Sequence, residues 1–233
     1  MYNGIVKSRY ERPYQKNMVK YSFYLTYAFL LTTATITFIE AMRTNIPKVR
    51  HILNLETCIS IVAAFFYTQF MEKIKKAEDG NIDFKQINVT RYTDWAITTP
   101  IMLLVLVLAI LYNRGGTLNF FDFLIILALN YLMLGAGYLG EIGVMSRRNG
   151  LIWGFVAFVL LYGFIYAKYL SGKFIFDNQM IFWAFVVFWA FYGIIYEVED
   201  EKRNIGYNVL DLFSKCFVGI FFWAYFTKTF TLH

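Results

Sequence analysis

Ionisable side chains stand beside long apolar runs at two places in the sequence. In "RYTDWAITTP", Arg91, Asp94 and Thr98 follow one another at spacings of three and four residues, and the apolar run "IMLLVLVLAIL" comes next. In "NVLDLFSKCFVGIFFWAYF", Asp211 and Lys215 are four residues apart and are again followed by an apolar run. Spacings of three and four residues place side chains on one face of a helix. Each group is therefore predicted to lie on one helix face.

The chemistry that these groups suggest is that of a cationic nitrogen held by two acids. A lysine in an apolar pocket forms Schiff bases readily, because desolvation favours the neutral, nucleophilic amine. Asp94 and Asp211 would then act together as a compound counterion for Lys215. The alternative is a structural ion pair between two helices, but a buried pair contributes little net stability. Ionisable groups within a membrane span are functional by default, so we favour a functional role.

The composition indicates that these groups lie within a membrane. The chain has 233 residues, of which 58% are hydrophobic, 21% aromatic and 16% charged, and its mean hydropathy is +0.48. A soluble domain of this length would carry more charge. The net charge of +6 is consistent with anionic lipid headgroups, and no basic face with base-reading residues indicates nucleic-acid binding. Cys58 and Cys216 lie in apolar runs and are expected to be buried free thiols, with no metal site.

The apolar runs predict an all-α fold, a single domain over residues 1–233 built as a seven-helix transmembrane bundle. Each run is long enough to cross about 30 Å of hydrocarbon as a helix. The basic connection "RTNIPKVR" favours an extracellular N-terminus and a cytoplasmic C-terminus. The predicted spans are about 18–42, 47–71, 90–112, 118–141, 149–170, 178–198 and 205–231.

Aromatic residues in these spans are numerous enough to surround a flat ligand. For any single ring, ordinary packing or a membrane-interface position is the simpler interpretation. Together with the buried lysine, however, they predict one shared cavity, to which soft or absent side chains also contribute. The residues in this prediction are Trp95, Trp153, Trp189, Tyr192, Tyr196, Met102, Met133 and Gly137.

"RYTDWAITTP" together with "DLFSK" resembles the microbial (type 1) rhodopsins, which bind retinal on a lysine of the seventh helix. The resemblance covers all seven spans. It implies that all-trans retinal forms a Schiff base on Lys215. It also implies that Asp94 is the main counterion and primary proton acceptor, Asp211 the second counterion and Arg91 the gate-side arginine.

The same resemblance assigns further residues to the retinal pocket. Trp95 and Trp189 would sandwich the polyene, and Ser214 stands beside the lysine, where many members have alanine. Tyr67 and Tyr192 would donate hydrogen bonds to Asp211. The remaining lining residues implied are Thr99, Met102, Met133, Gly137, Trp153, Tyr192 and Tyr196.

Departures from the family pattern bear on what is transported. Proton pumps usually carry a carboxylate where this chain has Val105, so another donor is required for a pump. Glu56 could be that donor, or an interfacial carboxylate paired with a nearby base. Glu40, in the first span, is expected to be interfacial and paired with Arg43 or Lys48.

A row of amides on the seventh helix suggests an ion pathway. Asn204 and Asn208 are four residues apart, and such a row can hydrate a cation without trapping it. Ser22, Tyr67 and Glu56 are assigned to the same pathway. With Val105 and Glu56, this pattern is similar to the rhodopsins of large algal viruses, one group of which conducts cations under light.

These features predict a photoreceptor that moves ions across a membrane, most simply a light-gated channel for monovalent cations. An outward light-driven proton pump is the alternative, and a photosensor is the third. A membrane enzyme with Lys215 as nucleophile is not expected, because it would need polar substrate groups and a water-accessible cleft. Members of the family form trimers or pentamers, so the resemblance allows a homo-oligomer, but no spacing in this sequence decides the oligomeric state.

Overall fold

The computed structural model describes residues 2–77 and 82–229, with side chains described from residue 17 onward. Over these residues the chain forms seven helices long and apolar enough to cross a membrane, and no strand is present among them. The predicted all-α, seven-span fold is confirmed. The helices, numbered first to seventh in the text, are Tyr2–Arg43 (spanning as Asn17–Arg43), Pro47–Lys76, Phe84–Arg114, Phe120–Glu141, Arg147–Leu170, Phe176–Ile195 and Asp200–Phe226.

Local sequence explains where several helices begin and end. The second helix begins at Pro47, whose fixed φ suits a first turn and whose missing N–H needs no partner there. The third helix is capped by Asp83, whose side chain accepts a hydrogen bond from the backbone N–H of Gln86. It ends at Gly115, which has φ of +71°, a left-handed conformation that glycine adopts without steric cost.

The helix bounds differ most from the predicted spans at the start of the chain, and by five or six residues at the end of the second helix, the start of the third and both ends of the seventh. The first helix extends back to Tyr2, well before the predicted start at residue 18. The seventh runs from Asp200 to Phe226, whereas the predicted span was 205–231, whose last two residues lie outside the described part. Membrane hydropathy marks the apolar part of a helix and does not detect polar turns that extend beyond the bilayer.

The seventh helix changes its winding around the buried lysine. Residues Leu212–Phe217 form π-helical turns that include Ser214 and Lys215. Thr33 of the first helix donates a hydrogen bond to the backbone carbonyl of Cys216 at 3.5 Å. Single π-helical turns are frequent at functional sites, and this one contains the buried lysine.

The bundle buries its third helix most and its fourth helix least. Large apolar side chains such as Phe38, Phe65 and Leu160 face outward and are exposed, as contact with lipid requires. Of the two free cysteines, Cys216 is buried as predicted and Cys58 is exposed, because it lies on the outward face of the second helix. The chain is an integral multi-pass membrane protein.

The helices alternate in direction, so the bundle has two ends. The N-terminal face is the end at which the first, third, fifth and seventh helices begin. The opposite face is the end at which the second, fourth and sixth helices begin. The charged residues of the site lie between these faces, on the third and seventh helices.

Candidate functional site

The centre of the site is a lysine buried between two aspartates. Lys215 is 2% exposed, and its Nζ lies 2.8 Å from Oδ2 of Asp94 and 3.5 Å from Oδ1 of Asp211. Both aspartates are fully buried. The third and seventh helices thus bring together the three groups that the sequence singled out.

Asp211 is surrounded by hydrogen-bond donors. The phenol of Tyr67 donates to its Oδ2 at 2.6 Å, and the phenol of Tyr192 donates to its Oδ1 at 2.6 Å. Arg91 adds a donor from its Nη1 at 3.4 Å. These three donors together occupy both carboxylate oxygens of Asp211.

Asp94 has fewer donors than Asp211. Besides Lys215, its side chain receives the hydroxyl of Thr98 at the long distance of 3.4 Å. That hydroxyl lies closer, at 2.9 Å, to the backbone carbonyl of Asp94. The one close donor to the carboxylate of Asp94 is thus Lys215, whereas Asp211 has three donors besides the lysine.

Arg91 is fully enclosed on the N-terminal side of the aspartates. Its Nη2 donates to the side-chain oxygens of Asn208 at 2.9 Å and Asn204 at 3.2 Å. Its guanidinium lies within cation–π range of four rings, those of Phe23, Tyr67, Phe70 and Tyr207. These contacts fix the arginine between the aspartates and the amides.

An apolar cavity adjoins the lysine. The space within it, counted together with the solvent at its open mouth, is about 770 Å³. Trp95 meets the rings of Tyr192 and Tyr207 edge-on, with centroids 5.5 and 5.2 Å away. The lining residues are Tyr92, Trp95, Thr99, Met102, Met133, Leu134, Gly137, Gly150, Leu151, Gly154, Phe155, Phe158, Trp189, Tyr192, Gly193, Tyr196, Tyr207, Ser214 and Lys215.

One predicted pocket residue does not line this cavity. Trp153 is 62% exposed on the outer surface of the fifth helix, so its assignment is corrected. The fifth helix lines the cavity with Gly150, Leu151, Gly154, Phe155 and Phe158. At about 100° per residue, Trp153 points roughly 130° away from the mean direction of those five. The other predicted lining residues, Trp95, Thr99, Met102, Met133, Gly137, Trp189, Tyr192, Tyr196 and Ser214, all contribute to the wall.

Sequence reasoning missed several cavity residues on the third, fifth and seventh helices. Phe155 and Phe158 belong to a set spaced by three and four residues, a signal that was available in the sequence. Tyr92 and Tyr207 lie on the same helices as the two aspartates, yet nothing in their spacing distinguishes them from ordinary packing residues.

Four of the five residues assigned to an ion pathway meet around Arg91. Asn208 accepts from Tyr67 at 3.0 Å and donates to the hydroxyl of Ser22 at 2.9 Å. Asn204 joins them through Arg91. The amides are thus occupied by hydrogen bonds to protein groups, and they form a closed cluster rather than an open row.

The fifth, Glu56, lies on the other side of Lys215. It is 2% exposed, and its Oε2 has no hydrogen-bond partner among the described residues. A Cβ built on Gly219 would lie 3.1 Å from that oxygen. Gly219 is four residues after Lys215, whereas Asp211 is four residues before it, so Glu56 and the Arg91 cluster lie at opposite ends of the lysine.

Glu40 and Glu56 differ in whether a basic side chain lies beside them. Glu40 lies 3.9 Å from Arg43, which is one of the two partners expected for it. Glu56 has no such pair. Val105, at the position where a carboxylate is usual in pumps, is fully buried in the hydrophobic core.

Comparison with known proteins gives a consistent result. The model of the bacteriorhodopsin-like protein family matches residues 17–229. The crystal structure of viral rhodopsin OLPVRII is 55% identical in sequence, with a TM-score of 0.85, over 91% of this chain and 99% of that chain. The crystal structure of a blue light-absorbing proteorhodopsin from Med12 is 25% identical, with a TM-score of 0.71, over 88% of this chain and 95% of that chain.

A further relative is matched over part of its length. The green-light absorbing proteorhodopsin of Gamma-proteobacterium EBAC31A08 is 30% identical over 142 residues, which are 60% of this chain and 53% of that protein. The match therefore spans about half the length of that curated relative.

Proposed function

This chain belongs to the bacteriorhodopsin-like family and is close to viral rhodopsins, and from that premise we propose that it carries retinal on Lys215 and pumps protons outward under light. The observation that carries the proposal is the placement of two acids on opposite sides of one lysine. Asp94 contacts the lysine directly, and Glu56 lies beyond it, one helical turn further along the seventh helix.

The residues present fit retinal. An apolar, aromatic cavity with one buried amine in its wall suits a polyene aldehyde, and the two aspartates suit a positive charge on the nitrogen. Retinal bound as a Schiff base on Lys215 would supply the absorption of visible light and a protonated nitrogen in place of the ammonium. Trp95 and Trp189 would form aromatic walls, and Ser214 would lie beside the attachment point.

Asp94 is the residue that takes up a proton, at Oδ2. Its charge is supported mainly by the neighbouring cation, so it becomes the better base once that cation is displaced. Asp211 keeps its charge, because Tyr67, Tyr192 and Arg91 all donate to it. The unequal donor sets thus decide which carboxylate accepts.

Glu56 returns a proton from the opposite face. A buried carboxyl without a partner is favoured as the neutral acid, so Glu56 would hold a proton at rest and release it when the lysine nitrogen needs one. Ile52 and Phe222, on the same two helices as Glu56 and Gly219, belong with Val105 to one buried apolar cluster. An apolar cluster there would limit the access of water to the lysine from the opposite face.

The direction of transport follows from the proposed orientation. Arg43, Lys48 and Arg50 lie around the first connection on the opposite face, and basic connections favour the cytoplasm. The N-terminal face is then extracellular. Asp94 lies between Lys215 and that face, so the proton leaves outward and Glu56 is reloaded from the cytoplasm.

A light-gated cation channel is the second proposal. The observation that favours it is the cluster of amides and hydroxyls from Ser22, Asn204 and Asn208, which provides oxygen ligands for a cation. In this structure those amides are bound to Arg91, so conduction would require the arginine to move.

Photocurrents under voltage clamp separate the two transport modes. We expect an outward current at every voltage tested with the retinal-bound protein. A current that reverses near the cation equilibrium potential would refute the pump and support the channel.

Matched glutamate variants test the assigned proton donor. Glu56→Gln should slow the recovery of the resting absorption by at least about tenfold, the rate equivalent of about 1.4 kcal/mol. Glu40→Gln is the control, since it removes the same charge from a carboxylate paired with Arg43. Equal recovery in both variants would remove Glu56 as the donor.

A further inference from the structure

Beyond Arg91, a chain of buried amides continues toward the N-terminal face. Asn204 accepts from Arg91 and donates through Nδ2 to Oδ1 of Asn88 at 2.9 Å. Asn88 in turn donates through its own Nδ2 to Oε1 of Glu141 at 3.1 Å. Asn88 and Asn204 are both buried. The polar interior therefore runs without a break from the aspartates to the end of the fourth helix.

Glu141 is the centre of a charged cluster that closes this chain. Its Oε1 accepts from Nη2 of Arg203 at 3.0 Å and lies 3.7 Å from Nη2 of Arg147. Arg203 is completely buried, and it also bonds Asp200 and the backbone carbonyl of Tyr196. Four helices, the third, fourth, fifth and seventh, meet in this cluster.

The cluster forms a boundary between the buried chain and solvent. The side chain of Glu141 is 3% exposed, whereas those of Arg147 and Asp200 are 38% and 41% exposed. Arg147 and Asp200 also contact each other at 3.5 Å. The cluster contains two acids, Glu141 and Asp200, and two bases, Arg147 and Arg203. Its formal net charge is zero, so no excess charge opposes the closed arrangement.

A buried ion pair of this kind is poorly explained by stability alone. Desolvation of the charges offsets most of their attraction, and apolar residues of similar volume often stabilise as well. Glu141 and Arg203 also lie at the end of a polar chain that reaches the counterions, where apolar packing would block the passage of an ion permanently.

We propose that Glu141 and Arg203 form the outer gate of the transport path, and that Asn204 and Asn88 connect this gate to Arg91. The inference rests on the proposed function, because it requires an ion to leave through the N-terminal half. In this structure the gate is closed. The ionisable groups that face Glu141 from the surrounding helices are Arg147, Arg203, Asp200, Tyr92, Tyr196 and Tyr207.

Two variants are expected to change proton exit in opposite directions. Glu141→Gln keeps the side-chain shape but removes the charge that holds Arg203, so the gate should open more easily. Asn88→Leu removes the amide that connects Asn204 to Glu141, so exit should slow. We expect changes on the order of tenfold in each direction, which corresponds to about 1.4 kcal/mol in a barrier.

Exit is measured as a delay between two signals after a light flash. The infrared carbonyl band of protonated Asp94 gives the start, and a pH-sensitive dye in the external medium gives the arrival of the proton. Asp122→Asn is the matched control, because it removes an acid paired with Lys168 at 3.1 Å at the other end of the fourth helix. An unchanged delay in both test variants, or a change in the same direction, would overturn the gate.

A second measurement needs no light and no retinal. In a Cys58→Ser background, Asn204→Cys places a thiol beneath the gate. A hydrophilic thiol reagent should label it slowly, and adding Glu141→Gln should raise the labelling rate about tenfold. Arg147→Gln should raise it less, because Arg147 is partly exposed and lies farther from Glu141 than Arg203 does. Equal labelling with and without Glu141→Gln would overturn the gate.

Different experimental results would refute the gate and the proposed pump. If the wild-type current reverses with voltage, the pump is refuted. Glu141→Gln should then increase the conductance if the gate exists and leave it unchanged if it does not. The rate of thiol labelling reports whether the gate is open, whichever mode of transport is correct.

Discussion

Gly219 lies where the seventh helix passes the buried carboxyl of Glu56, and replacing it with alanine tests that packing. A Cβ at this position would lie 2.7 Å from Cγ2 of Thr33 and 3.1 Å from Oε2 of Glu56. Optimal contacts between carbon atoms are about 3.5–4.0 Å. Thr33 is β-branched and therefore stiff, so the methyl group must displace either this threonine or the helix.

The expected loss follows from two opposing effects. Overpacking in a filled core costs about 1–3 kcal/mol, whereas alanine is favoured over glycine within a helix by about 1 kcal/mol. Gly219→Ala should therefore lower the free energy of unfolding by roughly 0–2 kcal/mol. Gly135→Ala is the control, because a Cβ there meets nothing within 4 Å. It should stabilise by about 1 kcal/mol.

Thermal melts of the retinal-bound protein, followed by loss of visible absorption, measure this difference. At about 2–4 °C per kcal/mol for a chain of this size, the two variants should melt several degrees apart, with Gly135→Ala the higher. Gly219→Ala should also slow recovery after a flash, because Glu56 is pushed from its position, while Gly135→Ala should not. Equal melting temperatures and equal recovery would refute the close approach of Glu56 to the seventh helix.

The other predictions concern the chromophore site. Lys215→Ala should abolish the visible absorption band after addition of retinal, and a retained band would remove the lysine as the attachment point. Asp94→Asn should shift the band to longer wavelength at neutral pH, because a counterion charge is lost; an unshifted spectrum would contradict its role. Trp189→Ala should lower stability by about 3–5 kcal/mol and move the band, whereas Trp153→Ala should change stability by no more than about 0.5 kcal/mol and leave the band in place.

The charged centre could be predicted from sequence because ionisable residues within membrane spans are costly and therefore rare. Asp94, Asp211 and Lys215 stand in segments where an ionisable group is costly, so each one indicated a site by its presence alone. Spacing then placed Arg91 on the correct face. The detailed partners of Asp211 came from the family resemblance and not from any pattern in the residues.

It was harder to predict which side of a lipid-exposed helix faces the interior of the bundle. In water, polar residues mark the outer face of a helix, but in a bilayer both faces are apolar. The fifth helix therefore has no polar stripe by which to orient it, and both residue type and the family resemblance pointed to Trp153 as a cavity residue. The spacing of Gly154, Phe155 and Phe158 from Leu151 carried the correct information.

The burial of charged residues at the ends of the spans could not be predicted from the sequence. Glu141 and Arg203 stand close to polar connections, where charged residues ordinarily contact water or headgroups, so sequence alone gave no reason to place them in the interior. Burial there is decided by how four helices converge, which is a property of the bundle and not of any one segment. The same convergence makes the Arg91 cluster part of a longer polar chain, so Asp94, the proposed acceptor, and the surface at the N-terminal face belong to one connected system.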